Sequence, residues 1–120
     1  MYEITTTASF SAAHHLRNYN GPCENVHGHN WLVKATVQCN KLNECGIGID
    51  FKDLKGRLKE ILATLDHTDL NKELAGKIDN PSSELLARYI YAELSKVLIG
   101  CKVKRIEVYE TPENCAAYFE

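Results

Sequence analysis

The 120-residue sequence has no apolar run long enough to span a membrane, and it carries little excess charge of either sign. Lys and Arg number 14 against 16 Asp and Glu, so the formal net charge is -2. A surface that attracts nucleic acid or an anionic membrane is therefore not expected. Residues 1–4 lack the basic and apolar regions of an export signal, which favours a cytoplasmic location.

Cysteine occurs five times but never in a CxxC pair, and the odd count argues against a disulfide framework. We therefore expect most of these thiols to be reduced and to pack as small apolar groups. No internal repeat, low-complexity tract or linker divides the chain. We expect a single domain over residues 1–120, since this length suits one core.

Residue periodicity predicts an α+β fold. Four segments show the alternation or the β-branched content of strands: residues 2–14, 27–37, 103–109 and 115–119. Two segments carry apolar residues at helical spacing: 51–65 and 82–98. The order predicts a four-stranded antiparallel sheet with two helices on one face. The other sheet face must then be wetted or covered by a partner subunit.

Three histidines form the first chemical signal. His27 and His29 are two residues apart on a predicted strand, so both imidazoles point to one side, although this motif alone is weak. His14 ends the preceding strand, and a hairpin would bring it beside the other two. Three imidazoles leave a tetrahedral zinc ion one open position, as in catalytic sites, although nickel, copper and iron also accept such ligands.

Cys23 lies four residues before His27, in a loop rich in Asn, Gly and Pro. It is open to three interpretations. As a fourth ligand it would close a structural site; as a thiolate favoured by a nearby cation it would be a base or nucleophile. The simplest interpretation is an ordinary loop cysteine.

Two further places carry candidate chemistry. Asp66 and His67 follow the first predicted helix, where an adjacent acid can orient and polarise a histidine base. A histidine favoured by the helix dipole is the simpler explanation. Glu110 ends an apolar strand, and its carboxylate suits two parallel N–H donors of a planar heterocycle, or is merely solvated.

Taken together, the motifs make the chain resemble the 6-pyruvoyl-tetrahydropterin synthase and 6-carboxytetrahydropterin synthase family. They occur in the family's order and spacing and cover essentially the whole chain. The motifs are Phe10-Ser11-Ala12-Ala13-His14, Cys23-Glu24-Asn25-Val26-His27-Gly28-His29, Ile49-Asp50-Phe51 with Leu54-Lys55, Leu65-Asp66-His67, Asn80-Pro81-Ser82-Ser83-Glu84 and Val108-Tyr109-Glu110-Thr111.

The resemblance implies a tunnelling fold, in which sheets from several subunits join into a barrel. Trimers stack into homohexamers with active sites at subunit interfaces. It implies one zinc ion per subunit on three histidines, which match His14, His27 and His29.

The same resemblance implies roles for the other motif residues. The family's catalytic cysteine matches Cys23, and its Asp-His pair matches Asp66 and His67. Its pterin-anchoring glutamate matches Glu110. Ser82 and Ser83 belong to a segment that approaches the pterin in the family.

The implied substrate is 7,8-dihydroneopterin triphosphate. The carboxy-forming branch releases acetaldehyde and triphosphate and feeds queuosine (7-deazaguanine) biosynthesis; the pyruvoyl-forming branch keeps the side chain. Three residues separate Cys23 from His27, which is the pattern of the carboxy-forming branch. Glu24 also resembles the glutamate of a third branch, which forms 6-hydroxymethyl-dihydropterin for folate synthesis. A different class of function, a non-catalytic zinc-binding module, remains an alternative.

Overall fold

A computed structural model describes residues 1–120 and has a five-stranded sheet at its centre. The strands are β1 Tyr2–His14, β2 His27–Cys39, β3 Thr68–Asp69, β4 Lys102–Thr111 and β5 Asn114–Phe119. Their order across the sheet is β3-β1-β2-β4-β5. The helices are α1 Phe51–Ala63, α2 Leu70–Glu73 and α3 Ser83–Val97. All strand pairs are antiparallel except the short β1–β3 pair.

The α+β prediction is confirmed, with two differences in detail. The sheet has five strands instead of four, because Thr68–Asp69 adds a two-residue parallel pairing beside Ala12 and Ala13. The helices number three instead of two, because the four-residue α2 follows directly. Elements of two or four residues are too short to contain a periodic repeat, so the sequence pattern does not predict them.

Both long helices begin at a polar capping residue, which precedes the apolar stripe of the helix. The side chain of Asp50 accepts a hydrogen bond of 2.7 Å from the N–H of Lys52 at the start of α1. Ser82 caps α3, and its Oγ accepts from the N–H of Leu85 at 3.3 Å. The apolar faces of α1 and α3 then pack on one side of the sheet against alternate residues of the strands.

The register of β1 and β2 positions the site. The two strands pair along their whole length, so that His14 lies opposite His27 and Ala12 lies opposite His29. Because strand side chains alternate, these histidines share the helix-covered face with Trp31, which is fully buried. The end of the hairpin where β1 stops and β2 begins therefore collects the histidines.

Two of the cysteines contradict the expectation of reduced thiols. Cys39 at the end of β2 and Cys101 just before β4 form a disulfide, and Cys23, Cys45 and Cys115 are free. The two partners are 62 residues apart, and the pairing of β2 with β4 brings them together. No spacing rule in the sequence marks such a long-range pair.

None of the helices combines the length and the apolar character needed to cross a bilayer.

Candidate metal centre and active site

Four side chains converge at the end of the β1–β2 hairpin where the connecting loop joins the two strands. The Nε2 atoms of His14 and His27 are 3.1 Å apart. Oε1 of Glu110, near the end of β4, lies 3.0 Å from Nε2 of His14 and 2.9 Å from Nε2 of His29. Ligand atoms of all four residues lie within 4.8 Å of one another, so the group could hold a metal ion.

Main-chain carbonyls orient two of the imidazoles. Nδ1 of His14 is 2.8 Å from the carbonyl oxygen of Pro81, and Nδ1 of His27 is 2.6 Å from that of Asn25. A carbonyl only accepts, so both Nδ1 atoms must carry the hydrogen. In the neutral rings Nε2 is then the free lone pair, which is how outer groups prepare histidines for a metal.

This tautomer tests whether a metal fits. Two Nε2 lone pairs 3.1 Å apart, with a carboxylate oxygen 3.0 Å from one of them, repel unless a cation or a proton lies between. Nitrogen ligands at about 2.0–2.1 Å from a tetrahedral zinc ion stand about 3.3 Å apart, close to the observed spacing. The geometry and the donor set therefore fit zinc.

The environment of His29 is a second indication that the residues fit a metal ion. Its Nε2 is shielded from solvent and makes no hydrogen bond of good geometry, although Oε1 of Glu110 is close. Burial is the main cause that lowers the pKa of His29, and the charges of His14 and His27 act in the same direction. Glu110 opposes the shift. A neutral imidazole with an unused buried nitrogen is suited to bind a cation.

The floor of the cluster is apolar. The ring of Trp31 meets the rings of His14 and His29 edge-on, at centroid distances of 4.9 and 5.2 Å. Its Nε1 donates to the carbonyl of Ala12 at 3.2 Å, so the indole is fixed in place. An apolar floor limits water access from below and strengthens electrostatic interactions at the cluster.

Cys23 lies beside the cluster but is not one of its members. It sits in the single turn of 3-10 helix Pro22–Glu24 and is half-buried. With Pro22, His27, His29 and Glu110 it lines a cleft of about 300 Å³. We call His14, His27, His29 and Glu110 the metal group. The Cys23 thiol lines the same cleft as three members of the metal group, but it is not itself a member.

Asp66 and His67 form a pair on a different part of the surface. Oδ2 of Asp66 is 3.0 Å from Nδ1 of His67, and Oδ1 accepts from the N–H of Ser11 at 2.8 Å. This main-chain hydrogen bond is the largest cause that lowers the pKa of Asp66. His67 is 82% exposed and has a left-handed backbone, with φ 57°. Neither residue lines the Cys23 cleft within one chain.

The remaining sequence candidates, Ser82, Ser83 and Glu24, do not line the Cys23 cleft. Ser82 caps α3 with its hydroxyl, and Ser83 is the first residue of that helix and half-buried. Glu24 is exposed at the end of the short turn that holds Cys23, and it does not line the cleft.

Sequence reasoning missed the groups that hold the site in place. The carbonyls of Asn25 and Pro81 carry no sequence signal, because every residue has a carbonyl. The carboxamides of Asn71 and Asn80 bind the main chain just after His14. Nothing in the position of Asn80 in the sequence indicates that its side chain binds the loop beyond β1.

Comparison with known proteins places this chain in a family. The model of the 6-pyruvoyl tetrahydropterin synthase family matches residues 3–120. A putative 6-carboxy-5,6,7,8-tetrahydropterin synthase of Archaeoglobus fulgidus is 37% identical, over 94% of this chain and 91% of that protein. The 6-carboxy-5,6,7,8-tetrahydropterin synthase of Synechocystis is 34% identical, over 99% and 94%.

Structural comparison agrees with the sequence matches. The solved 6-pyruvoyl tetrahydropterin synthase of Caenorhabditis elegans superposes with a TM-score of 0.86 at 27% identity. The superposition covers 99% of this chain and 95% of that chain, so the tunnelling fold extends over the whole structure. The chain belongs to the 6-pyruvoyl tetrahydropterin synthase family of pterin-processing enzymes.

Proposed function

We propose that this protein is a zinc-dependent 6-carboxy-5,6,7,8-tetrahydropterin synthase. Its reaction converts 7,8-dihydroneopterin triphosphate and water to 6-carboxytetrahydropterin, acetaldehyde and triphosphate. The observation that carries the proposal is the cleft that Cys23 shares with His27, His29 and Glu110. It sets one thiol beside a group of metal-binding side chains.

Two lines of support favour the carboxy product over the pyruvoyl product. Three residues separate Cys23 from His27, which is the carboxy-forming spacing in the family that the chain resembles. The relatives that are 37% and 34% identical are both named for the carboxy product. We place the reaction in queuosine (7-deazaguanine) biosynthesis in the cytoplasm.

The metal would be held by His14, His27 and His29, where it would supply Lewis-acid chemistry that acidifies a C–H bond of the substrate. Cys23, at the edge of the cleft, takes that proton as a thiolate. Glu110 accepts N–H donors of the pterin ring and holds it in register. Ser82 and Ser83 flank the pterin from the start of α3.

The Asp66–His67 pair completes the site from a neighbouring subunit. His67 is almost fully exposed at the edge of the sheet, while the cleft of its own chain holds Cys23 without a base partner. A homohexamer built as a dimer of trimers, with active sites at its interfaces, would bring the two halves together. His67, oriented by Asp66, then exchanges protons with the substrate opposite Cys23.

One observation favours a second candidate, the non-catalytic zinc-binding module. Oε1 of Glu110 lies 3.0 Å or less from the Nε2 atoms of two histidines, which is also the spacing of a fourth ligand. A carboxylate in the fourth position would close the coordination sphere and leave no place for substrate. Cys23 would then have no catalytic role.

Product analysis separates these candidates. Zinc-loaded protein is incubated with 7,8-dihydroneopterin triphosphate, and the products are identified by mass spectrometry. Acetaldehyde with 6-carboxytetrahydropterin supports the proposal, whereas a retained side chain indicates the pyruvoyl reaction. Glycolaldehyde-type cleavage that disappears in Glu24→Gln assigns the hydroxymethyl reaction to Glu24. Metal-loaded protein without turnover supports the zinc-binding module, and Cys23→Ser is the control for thiol-dependent chemistry.

A further inference from the structure

The chain beyond His14 is held by side chains that act as an extra strand. Thr68 and Asp69 pair with Ala12 and Ala13 through their main chains. Beyond this pairing, the side-chain carboxamide of Asn71 is the hydrogen-bond partner of the main chain of His15. Its Oδ1 accepts from the N–H of His15 at 2.9 Å, and its Nδ2 donates to the carbonyl of His15 at 3.0 Å.

Asn80 repeats the same pattern two residues later. Its Oδ1 accepts from the N–H of Arg17 at 2.8 Å, and its Nδ2 donates to the carbonyl of Arg17 at 3.0 Å. A carboxamide has one acceptor and one donor side by side, so it satisfies both main-chain groups of one residue as a neighbouring strand would. The main-chain groups of His15 and Arg17 thus have hydrogen-bond partners even though β3 pairs only with Ala12 and Ala13.

The residue between them contacts the other edge. The N–H of Leu16 donates to the carbonyl of Cys23 at 2.8 Å. In an extended chain, successive residues direct their main-chain groups to opposite edges. His15 and Arg17 therefore face the two asparagines, while Leu16 faces the turn that carries Cys23.

We propose that Asn71 and Asn80 are positioning residues that hold Cys23 beside the metal group. They act through His15 and Arg17 on Leu16, and through Leu16 on the main chain of Cys23. Asn80 is also joined directly to Pro81, whose carbonyl binds Nδ1 of His14. Residues 80 and 81 therefore bind both His14, a proposed metal ligand, and the segment that contacts the Cys23 turn. The catalytic consequence rests on the proposed function; the positional one does not.

The test compares Asn80→Ala with Asn43→Ala as a matched control. Asn43 also bonds main-chain groups with its carboxamide oxygen, accepting from Cys45 and Ile47 at 2.9 and 3.1 Å, but at the far end of β2. Amide hydrogen exchange is read at Leu16, whose N–H binds the carbonyl of Cys23 and not Asn80. In metal-loaded Asn80→Ala we expect exchange at Leu16 to be at least about fivefold faster, the effect of one net hydrogen bond. Asn43→Ala should match the wild type.

Steady-state kinetics give the second readout. A displaced thiol reduces the chemical step, so Asn80→Ala should lower kcat about 10- to 100-fold with KM within about twofold. Zinc content should stay at the wild-type value, since no metal-binding side chain changes. Asn80→Asp keeps the side-chain size and the acceptor for Arg17 while losing the donor, and should show a smaller increase in exchange; Asn71→Asp should do the same at His15 and Leu16. These variants carry the test if Asn80→Ala does not fold.

Two results would overturn the proposal. One is exchange at Leu16 that stays at the wild-type rate in Asn80→Ala. The other is a parallel loss of zinc, kcat and substrate affinity, which indicates general damage instead of positioning. If the wild type does not act on the pterin triphosphate, the proposed function fails, yet the exchange measurement still decides whether the asparagines hold the Cys23 turn.

Discussion

The Nε2 atoms of His14 and His27 face each other at 3.1 Å, while both Nδ1 atoms donate to main-chain carbonyls. Neutral rings in this tautomer have no hydrogen to share between them, so the contact is favourable only with a metal cation or a proton between the rings. The hairpin register places the two residues directly opposite each other. The metal group is therefore built into the pairing of β1 with β2.

Removing one of the proposed ligands should abolish the stabilisation that the metal would give. A chelator should lower the thermal midpoint of the wild type, because metal at 100 times its Kd stabilises the fold by about 2.7 kcal/mol. His14→Ala should have little metal and show almost no response to the chelator. His15→Ala is the matched control, since His15 lies outside the ligand group, and it should keep its metal. Metal analysis and thermal scans with and without chelator measure both effects.

Glu110→Gln distinguishes a pterin anchor from a fourth ligand. The carboxamide keeps the shape but loses the negative charge, and a hydrogen bond to a charged group contributes about 1.5–3 kcal/mol. If Glu110 holds the pterin, we expect full zinc content and a KM about 10- to 100-fold higher. Zinc content and KM are measured on the same preparation. Loss of zinc with Glu110→Gln would instead show that the carboxylate is a ligand.

His67 combines a proposed catalytic side chain with a left-handed backbone, φ 57°. A non-glycine residue in this region carries a cost of about 1–2 kcal/mol that glycine avoids. His67→Gly should therefore be more stable than His67→Ala by about that amount. Both variants should lose turnover by about 10²- to 10⁴-fold, the usual contribution of a general acid or base. Urea unfolding and kcat give the two comparisons; equal stability of the variants would refute the backbone argument.

Asp66 should contribute acid-sensitive stability. The N–H of Ser11 and then His67 favour the ionised carboxyl, which lowers the pKa of Asp66 below its ordinary value of 3.8. A folded pKa below the unfolded one contributes stability that is fully present above the unfolded pKa and is lost as pH falls through the folded pKa. The difference in urea midpoint between the wild type and Asp66→Asn should thus be constant near neutral pH and shrink below about pH 3.8. A difference that grows in acid would contradict the assignment.

Reduction of the Cys39–Cys101 disulfide should destabilise the fold without touching the metal site. A cross-link between residues 62 apart contributes about 4 kcal/mol by the loss of entropy in the unfolded chain. Thiol titration in denaturant should find the three free cysteines before reduction and all five after it. Zinc content should be the same in both forms, because Cys39 and His27 are at opposite ends of β2. Five thiols before reduction would show that the bond does not form in solution.

Strand parity made much of the metal group predictable. Side chains two apart share a face, so His27 and His29 were paired from the sequence, and a hairpin sufficed to add His14. Parity could not predict that Glu110 reaches the same point, because that depends on β4 pairing with β2 at Leu32 and Tyr109. The carboxylate of Glu110 lies within 3.0 Å of two imidazoles, and its role as a pterin anchor stays a prediction.

The local features of this protein can be predicted from its sequence: the histidine spacing, the caps of the long helices and the alternation that buries one face of the sheet. These features depend on neighbours within a few residues, where periodicity and hydrogen-bonding capacity are readable. Which distant groups meet is seen only in the folded chain, because contacts across 60 or more residues follow from strand pairing and loop closure. Cys39 with Cys101, Pro81 with His14, and Asn80 with Arg17 are all of this kind.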